Sequence, residues 1–130
     1  TTKNRIPPKA DPAMATGTEP HFIQSYGDGG FRIRGETYAG SVIVQRDGVQ
    51  PWSVTSFADI VSDSFQMLTE AGILLVGTGK TMHFIAPELR AALSDRGLIT
   101  DAMDTGAACR TFNVLLAEDR AVTTALIAVD

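Results

Sequence analysis

The sequence predicts an α/β fold: a compact three-layer domain with a central mixed, partly parallel sheet, an N-terminal β-hairpin region and about three helices. Three observations point there. Ile73-Leu74-Leu75-Val76 is an unbroken aliphatic run, which suits a strand buried on both faces better than a half-exposed one. A helical pattern opened by Pro87 separates it from a second apolar run, Leu98 to Met103. Strand, helix, strand in that order implies a right-handed parallel crossover. Ahead of both lie short alternating runs punctuated by glycine, the mark of hairpins.

Length and composition bound the rest. A chain of 130 residues, 44% hydrophobic and 20% charged, fits one domain with a real core. Eleven basic and 15 acidic residues give a net charge of −4. That argues against a general binder of nucleic acid or anionic membranes, which needs a basic footprint. One cysteine excludes an intramolecular disulfide framework. It fits a reducing compartment. No apolar run approaches the roughly 18 residues of a membrane span, which leaves peripheral association open. No secretory signal is visible. The chain opens on Thr1, so its natural start stays open.

Taken in order, residues 1–21 read as a flexible tail, with Pro7, Pro8, Pro12 and Pro20 and no apolar periodicity; residues 22–130 form the domain. Tyr26 to Gly30 is loop or turn, because its glycines admit positive φ. Phe31-Arg32-Ile33-Arg34 alternates as a half-buried strand. Gly35-Glu36 reads as a hairpin turn, and Thr37 to Gln45 as one further strand with a bulge at Gly40. Arg46-Asp47-Gly48 is a turn, and Pro51 opens a short strand through Val54. Ser56 caps a helix in which Phe57, Ile60, Val61, Phe65, Leu68 and Ala71 recur at helical spacing. Ser62-Asp63-Ser64 is the place where it would bend or break. Gly72 fits the stop. After the central strand comes a loop, then a helix with Pro87 in its first turn and Gly97 at its end. Asp104 or Thr105 caps a last helix through Leu116, with Ala108, Phe112, Leu115 and Leu116 as its buried stripe. Val122 to Val129 is the final strand.

Chemistry has few places to sit. Gly77-Thr78-Gly79-Lys80-Thr81 invites a nucleotide-binding reading, since Gly-Lys-Thr ends the Walker A motif. The first glycine of that motif would fall on Leu74, inside the strand, so the loop is too short to wrap a phosphate. Position 82 is Met82, so the dinucleotide glycine pattern fails as well. A weaker anion site survives at the C-terminal edge of the parallel strands, where such sheets place ligands. It comprises Gly77, Thr78, Gly79, Lys80, Thr105, Cys109 and Arg110, with the free N–H groups of the helix after Thr105 facing the anion. The plainer reading is that Thr105 caps its helix, Gly106 eases a tight turn and the cations are solvated. Cys109 lies one turn into a helix, where a dipole lowers a thiol pKa; a buried small residue is the plainer reading. His83 reads as a partly buried loop residue. His21 and His83 are too far apart in the chain to suggest a metal site, and no cofactor is implied. Asp101 and Asp104 need not converge. Arg32 and Arg34, with Arg46 near them, share a strand face that is either a partner patch or solvated.

Several of these stretches together resemble one family. They are Phe31-Arg-Ile-Arg-Gly, Tyr38-Ala-Gly-Ser-Val-Ile-Val, Trp52, Leu74-Leu-Val-Gly-Thr-Gly, Glu88-Leu-Arg and Thr105-Gly-Ala-Ala-Cys-Arg-Thr-Phe-Asn-Val-Leu-Leu-Ala-Glu. The family is the small domain of unknown function whose mitochondrial member is assembly factor 3 of NADH:ubiquinone oxidoreductase, complex I. The likeness covers roughly Phe22 to Val129. It implies a three-layer α/β fold and no catalytic residues. It implies a non-enzymatic role through protein partners, respiratory-complex subunits or assembly factors among them. The alternative is the anion site above, or a cysteine-dependent enzyme using it. A bacterial copy is expected in the cytoplasm, a eukaryotic one in the mitochondrion.

Overall fold

The aliphatic run lies between two parallel neighbours. The structure, a computed structural model, describes residues 19–130 and the backbone of one short strand before them. Strands β1 (Asn4–Arg5), β2 (Ile23–Gly27), β3 (Gly30–Ile33) and β4 (Glu36–Ala39) form an antiparallel sheet in that order. Strands β5 (Val42–Gln45), β6 (Gly48–Pro51), β7 (Gly72–Gly77), β8 (Leu98–Met103) and β9 (Val122–Leu126) form a second, ordered β6-β5-β9-β7-β8. Strand β7 runs parallel to both β8 and β9, while β5 is antiparallel to β9. The second sheet is therefore mixed, with the expected co-directional pair inside it. Helices α1 (Pro87–Asp95) and α2 (Thr105–Ala117) complete the fold.

The period of two along each strand makes the layers. Leu75, Val42, Val44 and Leu126 face one way and pack with Phe112 and Leu116 of α2 and with Ile23, Phe31 and Ile33 of the small sheet. Leu74, Val76, Ile43 and Ala125 face the other way, onto Leu93 of α1 and onto Trp52, Phe65 and Leu68. Each fully buried aliphatic or aromatic side chain contributes about 1.5–3 kcal/mol. A polar clamp adds register: buried Asn113 accepts from Ile23 N and donates to Ile23 O, both at 2.9 Å. It ties α2 to β2 where the β2–β3 pairing shifts by one residue.

Four local expectations are corrected. The second hairpin turn is Arg34-Gly35, not Gly35-Glu36. Both residues have positive φ, 50° and 82°, the geometry that joins twisted strands with two residues. Gly40 is not a bulge within one long strand. At φ 83° it turns the chain out of the small sheet and into the large one, and its N–H donates to Gly29 O at 2.8 Å. Strand β6 ends at Pro51, and Trp52 to Val54 are irregular. The Trp52 indole donates to Ser64 O at 2.8 Å instead. Strand β9 stops at Leu126 rather than Val129.

The helix expected from Ser56 to Ala71 does not form, so the described residues hold two α-helices rather than about three. Phe57–Asp59 and Ser62–Phe65 are short 3-10 turns. Ser64 Oγ accepts from Val61 N at 3.0 Å, a local bond that competes with the helical ladder. Ile60-Val61 adds β-branched stiffness. The segment is held from outside: Arg96 Nη2 donates to Phe65 O at 2.8 Å and to Leu68 O at 2.7 Å. The tail expectation for residues 1–21 lies outside the described residues except at Asn4–Arg5 and 19–21. At the latter, His21 N donates to Arg46 O at 2.9 Å.

Candidate functional site

Strands β7 and β9 end at the same edge of the sheet, and one buried threonine joins what leaves them. Thr105 Oγ1, at the start of α2, accepts from Gly79 N at 3.0 Å and donates to Ile127 O at 2.7 Å. Thr105 N donates to Gly79 O at 2.8 Å, and Ile127 N donates to Gly77 O at 3.0 Å. The loop's remaining early N–H is also committed, since Thr78 N donates to Met103 O at 2.9 Å. Thr78 Oγ1 meets Thr81 O at 2.7 Å and accepts from His83 N at 3.1 Å. Gly77 has no room for a side chain: a Cβ there would lie 2.9 Å from Leu126 Cδ2 and 3.0 Å from Thr105 Cα. Gly-Thr-Gly here is a close-packed corner that spends its hydrogen bonds inward. It offers no row of N–H groups to a phosphate, in keeping with the failed nucleotide motif.

Outside this corner lies an open groove of about 440 Å³. Its walls are Thr55 to Ala58, the loop Thr78 to Lys80 with His83, and Ile127 to Asp130. The His83 imidazole stacks on the Phe57 ring at 4.7 Å between centroids and 15° between planes. Lys80 is exposed and forms no ion pair within the described residues. The groove therefore presents a flat π wall, one cation, hydroxyls from Thr55 and Ser56, and the carboxylate of Asp130.

Of the candidate site residues, Thr78, Gly79 and Lys80 line the groove. Gly77 and Thr105 are buried behind it as its support. Cys109 and Arg110 do not reach it. Cys109 is buried in the core on the sheet side of α2. Burial pushes its thiol pKa up far more than neighbouring Arg110 lowers it, and Asp104 raises it further. With its sulfur enclosed by the core, Cys109 presents no exposed thiol at the groove, which weighs against the cysteine-dependent alternative. Arg110 reaches back along α2 toward Gly106, over which the Tyr26 phenol sits. That close approach, rather than a tight turn, is what requires glycine at 106.

Other candidates separate. Asp104 caps α2, accepting from Ala107 N at 2.9 Å, while Asp101 is exposed on β8. Arg34 sits in the hairpin turn, off the strand that carries Arg32. Arg46 leaves the supposed basic face altogether. It donates to Leu116 O at 2.9 Å and pairs with Asp119 at 2.9 Å, closing the end of α2. His83 is exposed rather than partly buried. The sequence reading missed Phe57 as a groove wall, along with Ile127 to Asp130. The sequence shows Val122 to Val129 as a final strand, and nothing in it says which loop the end of that strand would meet. Among the described residues no helix is long and apolar enough to cross a membrane.

The family model described as a protein of unknown function (DUF498/DUF598) matches residues 23–127. NADH dehydrogenase (ubiquinone) 1 alpha subcomplex assembly factor 3 of Xenopus tropicalis is 36% identical over 110 residues. The match takes in 82% of this chain and 60% of that protein, so the chain spans less than two thirds of this relative. A crystal structure described as an outer membrane protein from Bartonella henselae is 38% identical with a TM-score of 0.79, covering 87% of this chain and 98% of the other. A solution structure from Bordetella pertussis, described as a Mth938-like domain, is 31% identical with a TM-score of 0.75, covering 95% and 92%.

Proposed function

Because this chain belongs to the DUF498/DUF598 family, we propose that it is a non-enzymatic assembly factor for NADH:ubiquinone oxidoreductase that works by binding protein partners. The observation that carries the reading is its similarity to assembly factor 3 across the folded domain. Two features of the site support it. The Gly77–Gly79 corner has its polar groups bonded inward, and the thiol is buried. A bacterial copy would act in the cytoplasm, beside the forming complex. The test is deletion in a host that depends on complex I, followed by native gel electrophoresis of its membranes and NADH:quinone activity. The expected result is loss of assembled complex, restored by the plasmid-borne chain. Normal complex in the deletion strain would overturn the reading.

A second reading is binding of a small anion in the groove, favoured by exposed Lys80 beside the Phe57–His83 stack. Thr78, Gly79 and Lys80 would serve it without Cys109 or Arg110. Titration with inorganic phosphate, followed by amide NMR, is expected to shift Lys80 and Gly79 in the native chain and not in Lys80→Gln. Shifts that survive Lys80→Gln would remove it.

A further inference from the structure

The exposed apolar side chains of this protein are not scattered. Among the described residues the large exposed ones are Val61, Met67, Met82, Phe84, Ile99 and Val114. Four of them, Val61, Met67, Met82 and Phe84, lie on just two segments, the irregular stretch after β6 and the loop between β7 and α1. The Phe57–His83 stack holds those segments side by side. Phe84 is 82% exposed, next in sequence to the stacked imidazole. An isolated exposed leucine needs no explanation; a phenylalanine and a methionine presented by one anchored loop do.

The charge around this face leans acidic: residues 57–96 carry Asp59, Asp63, Glu70, Glu88 and Asp95 against Lys80, Arg90 and Arg96. From Asp47 to Gly79 the chain carries Asp47, Asp59, Asp63 and Glu70 and no lysine or arginine. Asp59, Asp63 and Glu88, just beyond the loop, are all exposed. The nearby arginines keep their charge but direct their guanidinium groups to carbonyls, Arg96 to Phe65 O and Leu68 O, and Arg90 to Thr100 O. Lys80 stands at the groove end. Anionic lipid headgroups are a poor match for such a face, since they attract basic segments. A positively charged polypeptide is a good match, because complementary charge steers its approach while a few apolar anchors hold it.

We propose that the face formed by Val61, Met82 and Phe84 with Asp59, Asp63 and Glu88 docks a basic segment of a partner polypeptide through an apolar anchor. This rests on the reading that the protein works through protein partners, and it names the chemistry of the partner. Phe84 and Met82 take the anchor, and the carboxylates take the flanking lysines or arginines.

The probe is a fluorescently labelled amphipathic peptide of leucine and lysine at helical spacing, with a leucine and glutamate twin as control, read by anisotropy. The native chain is expected to bind the lysine peptide and not its twin. Phe84→Ser should weaken binding about tenfold or more with an unchanged melting temperature, because the side chain is almost wholly solvated. Met82→Ser is the second variant should the first destabilise the fold. The double change Asp59→Asn with Asp63→Asn should weaken binding severalfold. Glu36→Gln with Asp101→Asn, which alters net charge equally at a distance, should not. Equal loss in the two doubles, binding indifferent to both loop variants, equal binding of the twin, or uptake by anionic vesicles in place of the peptide would overturn the proposal. In the deletion host, native rescue without peptide binding would sink this surface and leave the assembly role standing. Specific peptide binding without a complex I defect would do the reverse.

Discussion

Thr105→Val tests whether one hydroxyl holds the site edge together. Valine is nearly the same shape as threonine, so the change opens no large cavity, and its cost is polar. Two groups lose their partner: Gly79 N, at 3.0 Å, and Ile127 O, at 2.7 Å. An orphaned buried polar group costs about 1–3 kcal/mol. Gly79 is half-buried and regains water, so its share lies near the bottom of that range. Ile127 is buried, and its share lies near the top. The sum is about 3–4 kcal/mol. With an unfolding entropy of about 2.1 cal/mol/K per residue, 130 residues give about 0.27 kcal/mol/K, and the melting temperature should fall by about 11–15 °C. Urea unfolding followed by Trp52 fluorescence, and thermal melts by circular dichroism, measure both. Thr105→Ser is the control: it keeps the two bonds and loses a methyl, so it should cost about 1 kcal/mol. A loss under about 1 kcal/mol in the valine variant, or equal losses in both variants, would refute the hub.

Three further outcomes follow from the same structure. Asn113→Leu leaves Ile23 N and O without partners and should cost about 2–5 kcal/mol in urea unfolding. Asn113→Asp should be most damaging at neutral pH and recover as pH falls toward about 4, the unfolded carboxyl pKa, below which recovery is complete. Its buried carboxyl would have a raised pKa, so the fold would favour the protonated form. Arg96→Met removes the bonds to Phe65 O and Leu68 O; hydrogen exchange should speed up over residues 57–71 while β7 keeps its protection. Native Cys109 should resist alkylation at pH 8 and react fully in urea. Because burial raises its pKa in the fold, the thiol's contribution to stability is present below the unfolded thiol pKa, about 8.5. It declines as pH rises past that value, which urea midpoints at pH 8 and pH 10 would show.

What could be read from residues alone follows a physical line. The strand Ile73–Val76 was legible because burial on both faces leaves no alternation, and Leu74 and Leu75 do enter opposite cores. Helix α2 was legible from its stripe. Cys109 flanks that stripe in the sequence, and the structure puts it inside, one turn from Thr105 and from Phe112. The segment 57–71 misled because Phe65 and Leu68 are spaced as well for a 3-10 turn as for an α-helix. The deciding contacts, Ser64 to Val61 N and Arg96 from α1, are a local competition and a tertiary one. Gly40 was seen as irregular, but a bulge and a corner between sheets require the same residue. The groove was half legible. Thr78 to Lys80 announce a strand-end loop, whereas the Phe57–His83 stack joins residues whose meeting no spacing encodes.

The proposed non-enzymatic reading gives the inward bonding of this corner a physical use. A catalytic edge needs polar groups held in place yet left unsatisfied, so that substrate can complete them. At this edge Thr105, Thr78 and the loop amides satisfy one another, which makes the corner rigid and chemically quiet. Rigidity has a different use there. It anchors the loop that carries Met82 and Phe84 at one end, Pro87 and α1 anchor it at the other, and the imidazole between them is pinned on Phe57. Exposed apolar side chains on a fixed loop lose less conformational freedom on docking than the same residues on a mobile one. If the proposed docking face is right, the hydrogen-bonded hub supports the exposed loop, and weakening Thr105 should loosen binding of the lysine peptide even though its side chain never reaches the surface.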